Sequence, residues 1–271
     1  MTSEAASTDE LRRGLARRTI SALLPLAVKR AIDRIRMRRF LAIIAPANAE
    51  YVLRFGLEVR RGPFTGMLYL EGLERTSPDL ITKVAGTYES ELHAAFSQWV
   101  ERDIPLVVNV GCAEGYYAVG LARAMPQAKV LAYDILESAR SQCARMAAVN
   151  GVAERVELHE ACTPATLAGL PDAGVALLCD CEGYEKQLLD PELAPTLRKW
   201  QIIVELHDFI DPTITETIVA RFAATHEVEL IPSLPPDYQR LEELNFMTPR
   251  QRQHALTERP VPMSWAHLRP H

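Results

Sequence analysis

No apolar run in this chain approaches the roughly 20 residues that a membrane-crossing helix needs, so a helical integral membrane protein is excluded. The N-terminal residues lack the uninterrupted apolar core and cleavage site of an export signal. Cysteines are few, at 112, 143, 162, 179 and 181, and no two form a C-x-x-C pair. Their spacing suits neither a disulfide framework nor a zinc knuckle, so reduced thiols and a cytoplasmic location are expected. There is no internal repeat. Overall positive charge is also missing, because the net charge is −5. That figure hides an asymmetry: between Leu11 and Ala45 stand ten Arg or Lys against one acid, Asp33. The segment carries about +9 and the remainder about −14. An acidic bulk argues against a large nucleic-acid footprint, and DNA is not an expected partner.

The 271 residues are 48% apolar and 24% charged, enough for one sizeable buried core. Residues 1–10 are polar and expected to be disordered. Residues 11–45 form a basic N-terminal region with a helical pattern interrupted at Pro25. Leu, Ile and Val alternate there with arginines. Two readings stay open for it: a cap packed on the main domain or a second subunit, giving a homo-oligomer contact, or a peripheral membrane or other anionic contact. Residues 46–86 read as a small β/loop extension. Tyr51–Val59 alternates, Arg61-Gly62-Pro63 is a turn, and Met67–Leu70 resumes the strand pattern.

From 87 to 231 strand and helix patterns alternate. Strands are expected at 106–110, 129–133, 155–158, 175–179 and 201–206. Helices are expected at about 89–101, 115–125, 137–149, 164–169 and 185–198. This order, with Val- and Leu-rich strands, predicts an α/β fold with a doubly wound, mostly parallel sheet. Residues 232–271 form a tail rich in proline and arginine that packs on the domain, periodic only around 238–246.

The stretch LVVNVGCAEGYY, residues 106–117, is the most informative. An apolar strand stops at Gly111, a second glycine follows at 115, and a helical pattern resumes. Such a turn brings backbone N–H groups and a helix N-terminus to a ligand. The spacing is G-x-x-x-G and not the G-x-G-x-x-G of dinucleotide binders, and no Lys-Ser/Thr follows as in a P-loop. The second strand ends at Asp134, beside Ile135, placed to take both ribose hydroxyls of an adenosine. The third ends near Glu160, which could face an adenine edge. Nothing nearby suits a pyrophosphate.

These features resemble the class I S-adenosylmethionine-dependent methyltransferases over residues 86–231. The resemblance implies a Rossmann-like fold with S-adenosylmethionine as cofactor. It places Asn109, Gly111, Cys112, Ala113, Glu114 and Gly115 at the methionine part and Asp134 at the ribose. Tyr116 or Tyr117 would touch the cofactor while the other packs. One departure is Asn109, where that family usually has an acid; Glu114 would then supply the negative charge. A narrower similarity is to FkbM-type methyltransferases, through Gly86-Thr-Tyr-Glu89 before the first strand and Asp180-Cys-Glu-Gly-Tyr-Glu185 after the fourth. That group implies methylation of a hydroxyl on a small molecule or saccharide.

Methyl transfer needs the acceptor held in line and often relieved of a proton. Three clusters should converge beyond the strand ends: Tyr88 and Glu89 for substrate, Asp180, Glu182 and Glu185 after the fourth strand, and Glu205, His207 and Asp208 after the fifth. His207 is the general-base candidate because imidazole titrates near neutrality. Asp180 and Glu182 are its catalytic companions. The same groups support a second reading, in which Asp180, Glu205 and His207 ligate a divalent metal. Cys179 and Cys181 are not expected to act as nucleophiles, and His93 is expected to be structural. Trp265 either closes over a substrate or anchors the tail. The expected function is thus O-methylation dependent on S-adenosylmethionine. The alternatives are a non-catalytic binding module on the same fold, or an RNA methyltransferase, which the absent N/D-P-P-Y element weakens.

Overall fold

The computed structural model describes residues 26–234, 241–259, 261 and 263–271. The expectations for residues 1–25, Pro25 included, and for 235–240 lie outside the described residues. The first element is a long helix, α1 (Leu26–Phe55). Ile44, Ala47, Asn48 and Tyr51 are fully or almost fully buried, the i, i+3, i+4, i+7 stripe of one packed face. Asn48 Nδ2 fastens that face by donating to the carbonyls of Glu74 and Ser77. Residues 34–39 are exposed on every side of the helix.

The helix corrects the strand expected at 51–59. Tyr51–Phe55 continue the helical stripe, and Gly56, at φ 77°, ends it by donating its N–H to the Val52 carbonyl. A hairpin survives only as a short remnant. Val59 and Tyr69 N–H groups bond the Met67 and Leu57 carbonyls around the 61–63 turn, with one bridge, Glu58 to Leu68.

Next come α2 (Leu80–Ala85) and α3 (His93–Glu101). The sheet then begins: β1 (Leu106–Val110), α4 (Tyr116–Ala124), β2 (Lys129–Tyr133), α5 (Glu137–Val149), β3 (Val156–His159), α6 (Pro164–Ala168) and β4 (Val175–Cys179). It continues with α7 (Glu185–Leu188), β5 (Gln201–Leu206), α8 (Ile214–Phe222), β6 (His226–Pro232), α9 (Pro249–Ala255) and β7 (Ser264–Pro270). The strands form one seven-stranded sheet in the order β3-β2-β1-β4-β5-β7-β6. β1 to β5 are parallel, and β7 inserts antiparallel between β5 and β6. This is the doubly wound, mostly parallel, Rossmann-like sheet.

Two cores flank it, as side chains alternating along a strand require. Val107, Val130, Ala176 and Leu178 pack with α1, α3, α4 and α5. Val108, Leu131, Leu177 and Ile202 pack with α6, α7, α8 and Trp200. The helix expected at 185–198 stops at Leu188. Pro191 and Pro195 have no N–H to donate and disfavour helical backbone at the residue before them. A 3-10 turn, Pro195–Lys199, takes up the remainder. β6 and β7 were not among the expected strands. Trp265 lies fully buried in β7 as an anchor. Among the described residues, no helix is long and apolar enough to cross a membrane.

Candidate functional site

A cleft of about 650 Å³ opens beyond the carboxyl ends of β1, β2, β3 and β4. Ligands of open α/β sheets bind in this position. Its wall includes Gly111, Ala113, Asp134, Ile135, Glu160, Asp180 and Glu182, together with Tyr133, Leu136, Cys162, Thr163 and Tyr184. Gly111 has φ 80°, and a Cβ there would stand 1.6 Å from the Asp180 carbonyl oxygen. Only glycine allows the turn after β1 to meet the end of β4 so closely. The N–H groups of Gly111 and Cys112 both bond the Tyr133 carbonyl, tying the turn to β2.

Asp134 accepts from Ala113 N–H at 3.0 Å through Oδ2 and from Leu136 N–H at 2.9 Å through Oδ1. A carboxylate has about four lone-pair positions, so each oxygen retains one toward the cleft. Ile135 and Leu136 are 75% and 59% exposed at its mouth. Among the described residues the wall carries four acids, Asp134, Glu160, Asp180 and Glu182, and no lysine or arginine.

Several sequence-predicted residues stand elsewhere. Asn109 and Cys112 are buried in β1 and the turn, and Asn109 has both amide atoms without a hydrogen-bond partner. Gly115 caps α4 against Cys143. Glu114 turns away from the cleft: Lys83 Nζ lies 2.5 Å from its carboxylate and the Tyr69 hydroxyl also donates to it. The Lys83 ammonium holds this buried carboxyl below its ordinary range, against the upward push of burial. The pair lines a second, smaller cavity of about 220 Å³ with Asp79 and Gln142. Tyr116 and Tyr117 both pack in an aromatic cluster with Phe64 and Tyr88, and neither lines the large cleft.

At the β4–β5 end of the cleft stands the acid–histidine cluster. His207 is 1% exposed, and its Nδ1 lies 2.7 Å from Oε1 of the fully buried Glu185. Its Nε2 faces Glu205 Oε2 at 3.5 Å, Asp180 Oδ1 at 3.6 Å and Glu182 Oε2 at 3.6 Å. Burial, followed by the Glu205 carboxylate beside it, pushes the Asp180 carboxyl well above its ordinary value. Burial lowers the His207 imidazole, but Glu185 and the other acids outweigh it and leave the group raised. Asp208 does not join the cluster; it accepts from Thr215 N–H and hydroxyl at the start of α8.

Arg259 links the tail to this cluster. Its guanidinium contacts Glu205 Oε1 at 2.8 Å, Glu89 Oε1 at 2.7 Å and Glu91 Oε1 at 3.1 Å. Tyr117 donates to Glu89, and burial raises Glu89 to about 7. Glu89 therefore belongs to an ion-pair network behind Glu205, and neither it nor Tyr88 lines the large cleft. His93 Nε2 sits 3.3 Å from the Tyr88 carbonyl, away from the cluster. Cys179 and Cys181 have sulfurs 3.5 Å apart. Their contact and burial push the Cys179 thiol far up, which suppresses the thiolate a nucleophile would need.

No family model matches the chain, and no curated protein matches it. Among solved structures it is similar to the O-methyltransferase TomG from Streptomyces achromogenes in complex with S-adenosylmethionine. The TM-score is 0.43 and the identity 17%, covering 68% of this chain and 80% of that one. It is also similar to a putative rRNA-methylase from Clostridium thermocellum, with TM-score 0.44, identity 12%, and coverage of 67% and 97%. A third likeness is to a precorrin-6y C5,15-methyltransferase from Geobacter metallireducens, with TM-score 0.42, identity 12%, and coverage of 65% and 87%. At such scores and identities, these likenesses assign neither an activity nor a substrate to this chain.

Proposed function

We propose that this chain is an S-adenosylmethionine-dependent methyltransferase of FkbM-like type that methylates a hydroxyl of a small molecule or saccharide. The observation that carries the reading is the charge of the cleft. Its wall holds four acids and no base among the described residues. Nicotinamide, flavin and triphosphate nucleotides are anionic and would be repelled, with no lysine or arginine to offset the phosphates. S-adenosylmethionine has an adenosine, no phosphate and a cationic sulfonium, and suits both the charge and the shape. Asp134 would accept from the ribose hydroxyls, and Ile135 and Leu136 would cover the adenine. When bound, the cofactor supplies an electrophilic methyl group. The chain must then orient the acceptor in line and exclude water. The same acidic wall disfavours a phosphodiester acceptor, which sets a neutral hydroxyl compound ahead of RNA. The buried acid–histidine cluster at the cleft's end is costly to maintain, which favours a working site over a purely structural module.

Isothermal titration with S-adenosylmethionine tests the reading. Wild type should bind, and Asp134→Ala should bind at least tenfold more weakly, because hydrogen bonds to a charged group contribute about 1.5–3 kcal/mol. Absence of wild-type binding overturns the proposal.

A further inference from the structure

We infer that Asp180 Oδ1, Glu205 Oε2 and His207 Nε2 form a site for one divalent transition-metal ion, with Glu185 orienting the histidine. One candidate atom from each residue lies within 4.8 Å of the other two. The distances from Nε2, 3.5 Å to Glu205 and 3.6 Å to Asp180, are too long for good hydrogen bonds. They do suit shared coordination. Two atoms about 2.1 Å from one ion and 3.5 Å apart subtend roughly 110° at it, within the range of tetrahedral sites.

The partners of each group point the same way. Glu185 accepts at Nδ1, which puts the proton on that nitrogen and turns the Nε2 lone pair toward the acids. A carboxylate plays this outer role behind many metal-bound histidines. Arg259 occupies Glu205 Oε1 and leaves Oε2 for the centre. Asp180 Oδ1 is buried without a hydrogen-bond partner. Three lone pairs therefore converge on one point, and a cation there would relieve their mutual repulsion. One imidazole with two carboxylates favours Mn²⁺, Fe²⁺ or Zn²⁺ over the all-oxygen preference of Mg²⁺ and Ca²⁺. The site lies at the end of the same cleft, since Asp180 lines both. If the proposed methyl transfer holds, the ion would bind the acceptor oxygen and make its hydroxyl more acidic.

Titration of metal-stripped full-length protein with MnCl₂, followed by calorimetry and by loss of the free Mn²⁺ electron paramagnetic resonance signal, tests the site. One equivalent should bind. Asp180→Asn and His207→Ala should weaken binding at least a hundredfold, and Glu185→Gln by 10- to 100-fold. Glu160→Gln, on the cleft wall away from the cluster, should bind as wild type does. Circular dichroism of each variant confirms its fold. Wild type that takes up no Mn²⁺, or folded Asp180→Asn that binds it unchanged, overturns the inference. Because the readout needs no methyl donor, failure of S-adenosylmethionine binding and failure of the metal site are separate results.

Discussion

Two glycines with similar backbone angles separate close approach from turn geometry. Gly111 and Gly151 have φ 80° and 68°. A Cβ at 111 would overlap the Asp180 carbonyl, whereas one at 151 meets nothing within 4 Å. Gly151→Ala should therefore cost about 1 kcal/mol, the strain of left-handed backbone for a residue with a Cβ. Gly111→Ala should cost more than about 3 kcal/mol, because β1 or β4 must move, and should also abolish ligand binding. Chemical denaturation of both variants measures the difference; equal losses would refute the close-approach argument. Gly111 was legible because a glycine ending an apolar run has few other uses. Asp134 was legible as an acid at a strand tip. Arg259 and Lys83 draw their roles from partners up to 170 positions away, and no local pattern announces such pairing. Glu114 was misread for the same reason: its neighbour in space is Lys83, which the turn motif does not contain.

At the scale of elements, β1, β2, β4 and β5 were legible because burial on both faces makes them largely apolar runs; every residue of β4 and β5 is buried. β3, at the sheet edge with only Val156 buried, was legible from its place in the strand–helix alternation. β6 and β7 escaped because their patterns are weaker. β6 is largely exposed, with Glu227 and Glu229 on one face, and β7 follows a stretch rich in proline. Tyr51–Phe55 misled because a short apolar alternation also fits the end of a helical stripe. The placement of β7 makes a strong demand. Among the described residues it is the only strand bonded to β6, and it also covers β5. Deleting residues 264–271 would leave β6 without a partner and expose the edge of β5, while removing buried Trp265, Ala266 and Leu268. The truncated chain should lose cooperative unfolding or fail to accumulate in soluble form. A sharp two-state thermal transition in it, seen by circular dichroism, would contradict this role.

Over the whole molecule, buried titratable groups of opposite kinds set the pH dependence of stability. Burial raises Glu258 to about 8 and Glu89 to about 7, against an unfolded value of 4.5. In the folded state they hold protons that the unfolded chain releases, so stability falls as pH rises from about 4.5 through 8. Burial lowers His267 to about 4 and lowers His226 and His93 as well. Below pH 6.5 the unfolded chain binds protons that these imidazoles refuse, so stability rises with pH between about 4 and 6.5. The two trends oppose each other below 6.5. Above it the contribution of the lowered histidines is complete, and the carboxyl loss continues, joined by that of His207, whose folded value is raised. Metal-free protein should therefore show a melting temperature that declines from pH 6.5 to 8.5. Glu258→Gln keeps the shape of that side chain and removes its proton, so it should flatten the decline. Calorimetric scans across this range decide the matter: an unchanged slope in Glu258→Gln would show that this carboxyl ionises in the folded protein as freely as in the unfolded chain.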